Sequence, residues 1–162
     1  MSNQTATQMQ LKRHFHAPPG EVFRAFVDPD RMAQWFGPAG FHVPRATVQV
    51  DTRVGGLWRL VMVNNDVPVI TSPVDLVFTE VVPGRRLVGY EDAKGMAGVR
   101  DGTRLVLVIE FDAAGDGTLL TVTQGPFPPE LSEMGSMGWR QSFRKLEALL
   151  DGPAHSRTAM AG

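Results

Sequence analysis

From residue 41 onward the hydrophobic side chains recur at every second position, and no stretch before residue 125 restores a helical period. That switch limits what the chain can fold into more than any other feature. Successive side chains on a strand point to opposite faces, so a period of two with one polar side marks strands half-buried in a sheet. Strands are expected at His42–Asp51, Leu57–Val63, Val74–Val82, Leu87–Asp92, Thr103–Ala113 and Thr118–Gln124. The breaks between them carry turn chemistry: Gly55-Gly56, Asn64-Asn65-Asp66, Pro83-Gly84 and Gly115-Asp116-Gly117. Connections this short cannot hold the crossover that parallel pairing needs, so the strands must run antiparallel as a meander.

The flanks read differently. Gln8–His16 alternates, with Met9, Leu11, Arg13 and Phe15 on one face, and predicts a first strand. Pro19 suits the first turn of a helix whose apolar face is Val22, Phe23, Phe26 and Val27. Asp28-Pro29 pairs an N-cap with a proline at the next position and opens a second short helix carrying Met32, Trp35 and Phe36. At the other end Trp139, Phe143, Leu146 and Leu150 form a helical stripe, widened by Leu149. Gly135 and Gly138 weaken its first turns, which puts the start of the regular helix near Ser136. The order is β-α-α-β6-α, an α+β fold in which one long helix buries its stripe on one face of an antiparallel sheet.

The 162 residues are close to one domain's length, placed here at residues 8–151 with tails at 1–7 and 152–162. Sixteen basic against seventeen acidic residues leave a net charge of −1, which removes the electrostatic case for nucleic acid. Without cysteine there is no disulfide framework, thiol nucleophile or thiolate metal site. The polar leading segment has no signal-peptide pattern and no apolar run reaches membrane-spanning length, so a cytoplasmic protein with no membrane span is expected.

Several local words, in this order, resemble one family. They are Ala17-Pro18-Pro19 with Val22-Phe23 and Ala25-Phe26, then Trp35-Phe36-Gly37-Pro38, then Asp51-x-Arg53-Val54-Gly55-Gly56-x-Trp58-Arg59. Glu80 through Val88, Thr118-x-x-Thr121-x-Thr123 and Gly138-Trp139 complete the set. Together they resemble the helix-grip (START and birch-pollen-allergen-like, SRPBCC) superfamily, in its bacterial branch related to the activator of the heat-shock-protein-90 ATPase. The resemblance spans roughly residues 8–151 and implies a curved sheet wrapped around the terminal helix, with a cavity between them. The eukaryotic activator also uses an N-terminal chaperone-binding domain, which has no counterpart in these residues, and that counts against a chaperone partner.

Strand parity then nominates a lining for the implied cavity. Trp58, Leu60 and Met62 share one face; Leu105, Leu107, Ile109 and Phe111 share another, matched by Leu120 and Val122. With Trp35, Phe36, Phe78, Tyr90, Trp139 and Phe143 these make an apolar chamber with few polar groups, as small-molecule pockets have. Tyr90 and Glu91 must point oppositely, as must Glu91 and Asp92, and the sequence leaves open which enters. His14 and His16 stand two apart, a spacing able to chelate a metal, but opposite Leu11 and Phe15, so both are expected in solvent and no metal site is assigned. Asp51-x-Arg53 is expected to be an ion pair clamping the Gly55-Gly56 turn. Ala93–Gly102 is a glycine-punctuated hairpin loop at the expected cavity mouth.

There is no phosphate-binding loop, dinucleotide fingerprint, nucleophile elbow or zinc spacing, so neither a cofactor nor a catalytic set is assigned. The first expectation is a non-catalytic binder of a small, largely apolar ligand. The second is an enzyme of the cyclase or hydrolase kind using polar groups in the same cavity, and the third a module that modulates a chaperone ATPase. Oligomeric state, a homodimer included, is left open.

Overall fold

The computed structural model describes residues 7–151; the expected tails, apart from Thr7, lie outside the described residues. In chain order the elements are β1 (Thr7–Phe15), α1 (Pro19–Val27), α2 (Pro29–Trp35), β2 (Phe41–His42), β3 (Gln49–Val50), β4 (Leu57–Asn64), β5 (Thr71–Val82), β6 (Arg86–Asp92), β7 (Arg104–Ala114), β8 (Gly117–Phe127) and α3 (Pro129–Leu150). The strands form one antiparallel sheet in the order β1-β8-β7-β6-β5-β4-β2, with β3 also on β4. The meander of β4 to β8 is thus completed by β1, which lies beside the last strand. The α3 helix packs against β1, β8 and α2. This is the α+β order that the alternation and the terminal stripe predict, in the helix-grip architecture that the family resemblance implies.

Prolines set the helix starts. Pro19, Pro29 and Pro129 each occupy the first turn, where a missing N–H leaves no bond unmade, and the Asp28 side chain accepts from the Asp30 N–H at 2.9 Å. Tryptophans then fasten the helices to the sheet. The Trp35 and Trp58 indoles donate to the Ala25 and Phe26 carbonyls at 2.8 and 2.7 Å, satisfying acceptors at the end of α1 that have no partner further along the helix.

Three expected boundaries move. The strand predicted over His42–Asp51 is two pairs of residues, because Pro44 leads into a single tight turn at Arg45–Thr47. The β5 strand begins at Thr71 and tolerates Pro73 because that residue lies beyond the end of β6, where no ladder partner waits for an N–H. The α3 helix begins at Pro129, seven residues before Ser136. Its two glycines each cost about 1 kcal/mol of helix propensity, which burial of the α3 stripe offsets. A Cβ on Gly135 would stand 3.4 Å from the Met9 sulfur, so the small residue lets the helix lie close to β1.

Candidate functional site: a cavity beneath the terminal helix

The concave face of the sheet is covered in two ways. Over one end sits α1, with Phe23 and Phe26 meeting Phe111 edge to face at centroid distances of 5.3 and 5.4 Å. Phe15 and Phe143 close the same region against α3 at 5.6 Å. Toward the other end, between β4–β8 and the first half of α3, lies a half-open cavity of about 350 Å³. Trp58, Leu76 and Leu107 form its floor; Phe36, Met62 and Val74 wall one side; Gly135, Gly138 and Trp139 face it from α3.

The expected lining therefore divides. Phe36, Trp58, Met62 and Trp139 border the cavity. Trp35, Leu60, Phe111 and Phe143 are buried packing between α1, α2, α3 and the sheet. Phe78 and Ile109 border a deeper gap of about 10 Å³, room for about one water at most. Tyr90 is a correction. Leu87, Gly89 and Glu91 take the inner face of β6, so Tyr90 points outward, where the Arg104 guanidinium stacks 3.7 Å above its ring. Leu87 and Val88 are both apolar, which is why the alternation did not fix the parity of this strand. The side-chain-free Gly89 was the available signal: a Cβ there would meet the Val77 carbonyl oxygen at 3.1 Å.

Glu91 is thus the residue that enters. Its Oε1 accepts from the Asp75 N–H at 3.3 Å. Burial among apolar neighbours pushes its carboxyl pKa above the usual value; the Asp75 N–H bond opposes this, and the nearby Asp75 charge adds to it. Of the other polar groups at the cavity, Ser72, Gln124 and Ser142, the last two are partly committed to the protein. Gln124 Oε1 accepts from the Trp139 indole at 3.0 Å, and Ser142 Oγ accepts from the Gly37 N–H at 3.1 Å. Gln124 keeps its amide NH₂ for other partners. Neither Gln124 nor Ser142 was singled out from the sequence, since a lone amide or hydroxyl carries no pattern.

The rim is fixed from α3. Besides Ser142, Gln141 accepts from the Ala39 N–H at 3.0 Å, and Lys145 donates to the Pro38 and Phe41 carbonyls at 3.4 and 3.2 Å. Burial in this position pushes the Lys145 pKa down. Across the mouth, the Ala93–Gly102 loop is held by an Asp101 bond to the Gly95 N–H at 2.9 Å, and Met96 reaches the cavity edge.

The remaining polar motifs are structural. Arg53 pairs with Asp51 at 2.7 Å beside the Gly55-Gly56 turn, as their spacing implies. His14 lies 2.9 Å from the Ala114 carbonyl and His16 lies 3.6 Å from Asp116; among the described residues no cluster of ligating side chains is assembled. No helix among them is long and apolar enough to cross a membrane.

A curved antiparallel sheet gripping a long C-terminal helix, with a cavity between them, defines a helix-grip protein of the SRPBCC kind. The chain belongs to the family of activator of Hsp90 ATPase homolog 1-like proteins, whose model matches residues 16–151. A solved protein from Chromobacterium violaceum is similar at 28% identity, with a TM-score of 0.77 over 90% of this chain and 97% of that one. The AHSA1 protein from Silicibacter pomeroyi is also 28% identical, with a TM-score of 0.72 over 90% and 98%. A protein from Nitrosomonas europaea, 24% identical, shares the fold with a TM-score of 0.73 over 93% and 97%. A search of the curated proteins returned no match.

The Glu91 environment has a testable consequence. A carboxyl whose pKa is raised on folding contributes stability that is fully present below its unfolded-state value and lost as pH rises through the folded one. Glutamine keeps the shape and the acceptor for Asp75 without the charge. Glu91→Gln is therefore expected to raise the urea midpoint at pH 7 and to leave it unchanged near about pH 3, where the carboxyl is neutral in both states. A gain of equal size at both pH values would show that charge is not its origin.

Proposed function

We propose that the protein binds a small, largely apolar molecule in the cavity beneath α3. One observation carries this reading: where Phe23 and Phe26 of α1 fill the space above Phe111, a mainly apolar cavity remains between the first half of α3 and Trp58, Leu76 and Leu107, which are themselves buried. Its volume of about 350 Å³ falls within the ~300–1,000 Å³ of small-molecule sites. Each Å² of apolar ligand surface taken from water into it gains about 25 cal/mol. The helix-grip fold, which commonly holds hydrophobic ligands, supports the same reading. An enzyme of the cyclase or hydrolase kind would set a second polar side chain within hydrogen-bond reach of Glu91, whereas the Glu91 carboxylate bonds the backbone N–H of Asp75.

N-phenyl-1-naphthylamine, a neutral apolar fluorophore, tests this directly, since Trp58 and Trp139 border the cavity and report on its filling. Saturable binding with quenching of tryptophan emission is expected. Gly138→Leu is the matched control. A Cβ there meets only Pro38, at 4.0 Å, so the larger side chain has room to extend into the cavity. Leucine also favours the helix by nearly 1 kcal/mol over glycine. The variant should melt no lower than the parent protein and bind the probe at least tenfold more weakly. Unchanged affinity in that variant would move the binding site elsewhere. Native mass spectrometry of freshly purified protein should show a co-purified small molecule of defined mass.

A further inference from the structure

We infer that the cavity is built for an organic cation: a small apolar molecule carrying one protonated amine, with Glu91 as its counter-ion and Phe36, Trp58 and Trp139 as the aromatic wall around it. The inference rests on the cavity being a ligand site and names the chemistry of its occupant.

The charge pattern around β6 carries it furthest. Glu91 is the one charged side chain bordering the cavity among the described residues. The acids beside it in the sheet are all paired across the outer face: Asp75 with Arg59 at 3.0 Å, Asp92 with Arg104 at 3.2 Å, and both Glu80 and Glu110 with Arg86. Among the described residues Glu91 alone of this group has no basic partner. A carboxylate partly withdrawn from water without a counter-charge is costly, and a cationic ligand would supply the partner that Glu91 lacks. Lys145, the basic residue of α3 near the rim, is committed to the Pro38 and Phe41 carbonyls and does not border the cavity.

The aromatic wall favours the same ligand. Phe36 meets Trp58 and Trp139 edge to face, each at 5.5 Å, which places three ring quadrupoles around one space. A cation within about 6 Å of such rings is attracted to their faces, and more strongly where water is excluded. The same wall has little to offer an anion. Both indole N–H groups are already donated, to Phe26 and to Gln124, and an anion drawn to the Gln124 NH₂ or to the Ser72 and Ser142 hydroxyls would face the repulsion of Glu91. A fatty acid or other apolar carboxylate is thus disfavoured relative to an amine. Desolvation of Glu91, already visible in its raised pKa, strengthens its attraction for a ligand cation when it is ionised.

Three probes of one shape separate these chemistries: 4-phenylbutylamine, 4-phenylbutan-1-ol and 4-phenylbutyrate, titrated by calorimetry into the full chain at pH 7. The amine should bind at least tenfold more tightly than the alcohol, and the acid most weakly. In Glu91→Gln the amine should lose that advantage to within twofold, while the alcohol keeps its affinity, which shows that the cavity is intact. An alcohol or acid that binds the parent protein as tightly as the amine overturns the inference and leaves the cavity standing as a ligand site. An amine preference that survives Glu91→Gln also overturns it. If none of the three binds, the inference fails together with the reading of the cavity on which it rests.

Discussion

Replacing Phe143 with alanine is expected to lower the free energy of unfolding by about 3–5 kcal/mol, the range for deleting a buried phenylalanine from a close-packed core. Phe143 is 0% exposed and lies midway along the stripe that α3 turns to the sheet. Its ring meets Phe15 of β1 edge to face at 5.6 Å and Trp139 of the preceding turn at 5.7 Å. Such aromatic pairs add about 0.5–1.5 kcal/mol beyond the area they bury. Neither neighbour can close the void, since Phe15 is fixed by the β1–β8 ladder and Trp139 by its bond to Gln124. Against a total of about 5–15 kcal/mol for a domain, this removes a large share. Urea denaturation followed by tryptophan fluorescence measures it, and a loss below about 1 kcal/mol would mean that α3 is not seated as described.

Gly117→Ala, at the start of β8, should cost about 3 kcal/mol, because it overpacks backbone and not a movable side chain. A Cβ at Gly117 would stand 2.0 Å from the Phe15 carbonyl oxygen and 3.0 Å from His14 Cε1. That carbonyl cannot retreat. Phe15 pairs with Thr118, and Thr118 Oγ1 donates to the Ala17 carbonyl at 2.7 Å, pinning the chain where β1 ends. Gly115, two residues away, supplies a comparison with a different cause. It has φ +60° and nothing within 4 Å of where a methyl would stand, so alanine there meets only the left-handed backbone penalty of about 1–2 kcal/mol. Thermal unfolding should rank Gly117→Ala below Gly115→Ala; the reverse order would place the strain elsewhere.

Local signals in the sequence located most of the framework. Pro19 and Pro29 marked helix starts because their chemistry acts within one turn, and the alternation on β4 and β7 assigned Trp58, Met62 and Leu107 to the inner face. What escaped depended on contacts between distant segments. Whether Phe111 faces a cavity or a helix is decided by α1 crossing above it, and nothing around residue 111 encodes that. Gly135 and Gly138 argued against helix by propensity, yet α3 runs through both because its stripe of Trp139, Phe143, Leu146 and Leu150 is buried against distant parts of the chain. The parity of β6 turned on Leu87-Val88, two apolar neighbours either of which could face inward. That ambiguity exchanged Tyr90 for Glu91, and with it the one acid of the candidate site.

The fastening of the loop after α2 by Gln141, Ser142 and Lys145 sets an order of events as the protein is made. Those bonds join residues 102–107 positions apart in the chain. Contacts of such long separation form late, because the intervening chain must first be closed into a loop. A growing chain could assemble the meander and still lack a rim until α3 is synthesised and docks. A molecule that fills the cavity would therefore report that α3 has docked, and would stabilise that last step of folding more than any earlier one.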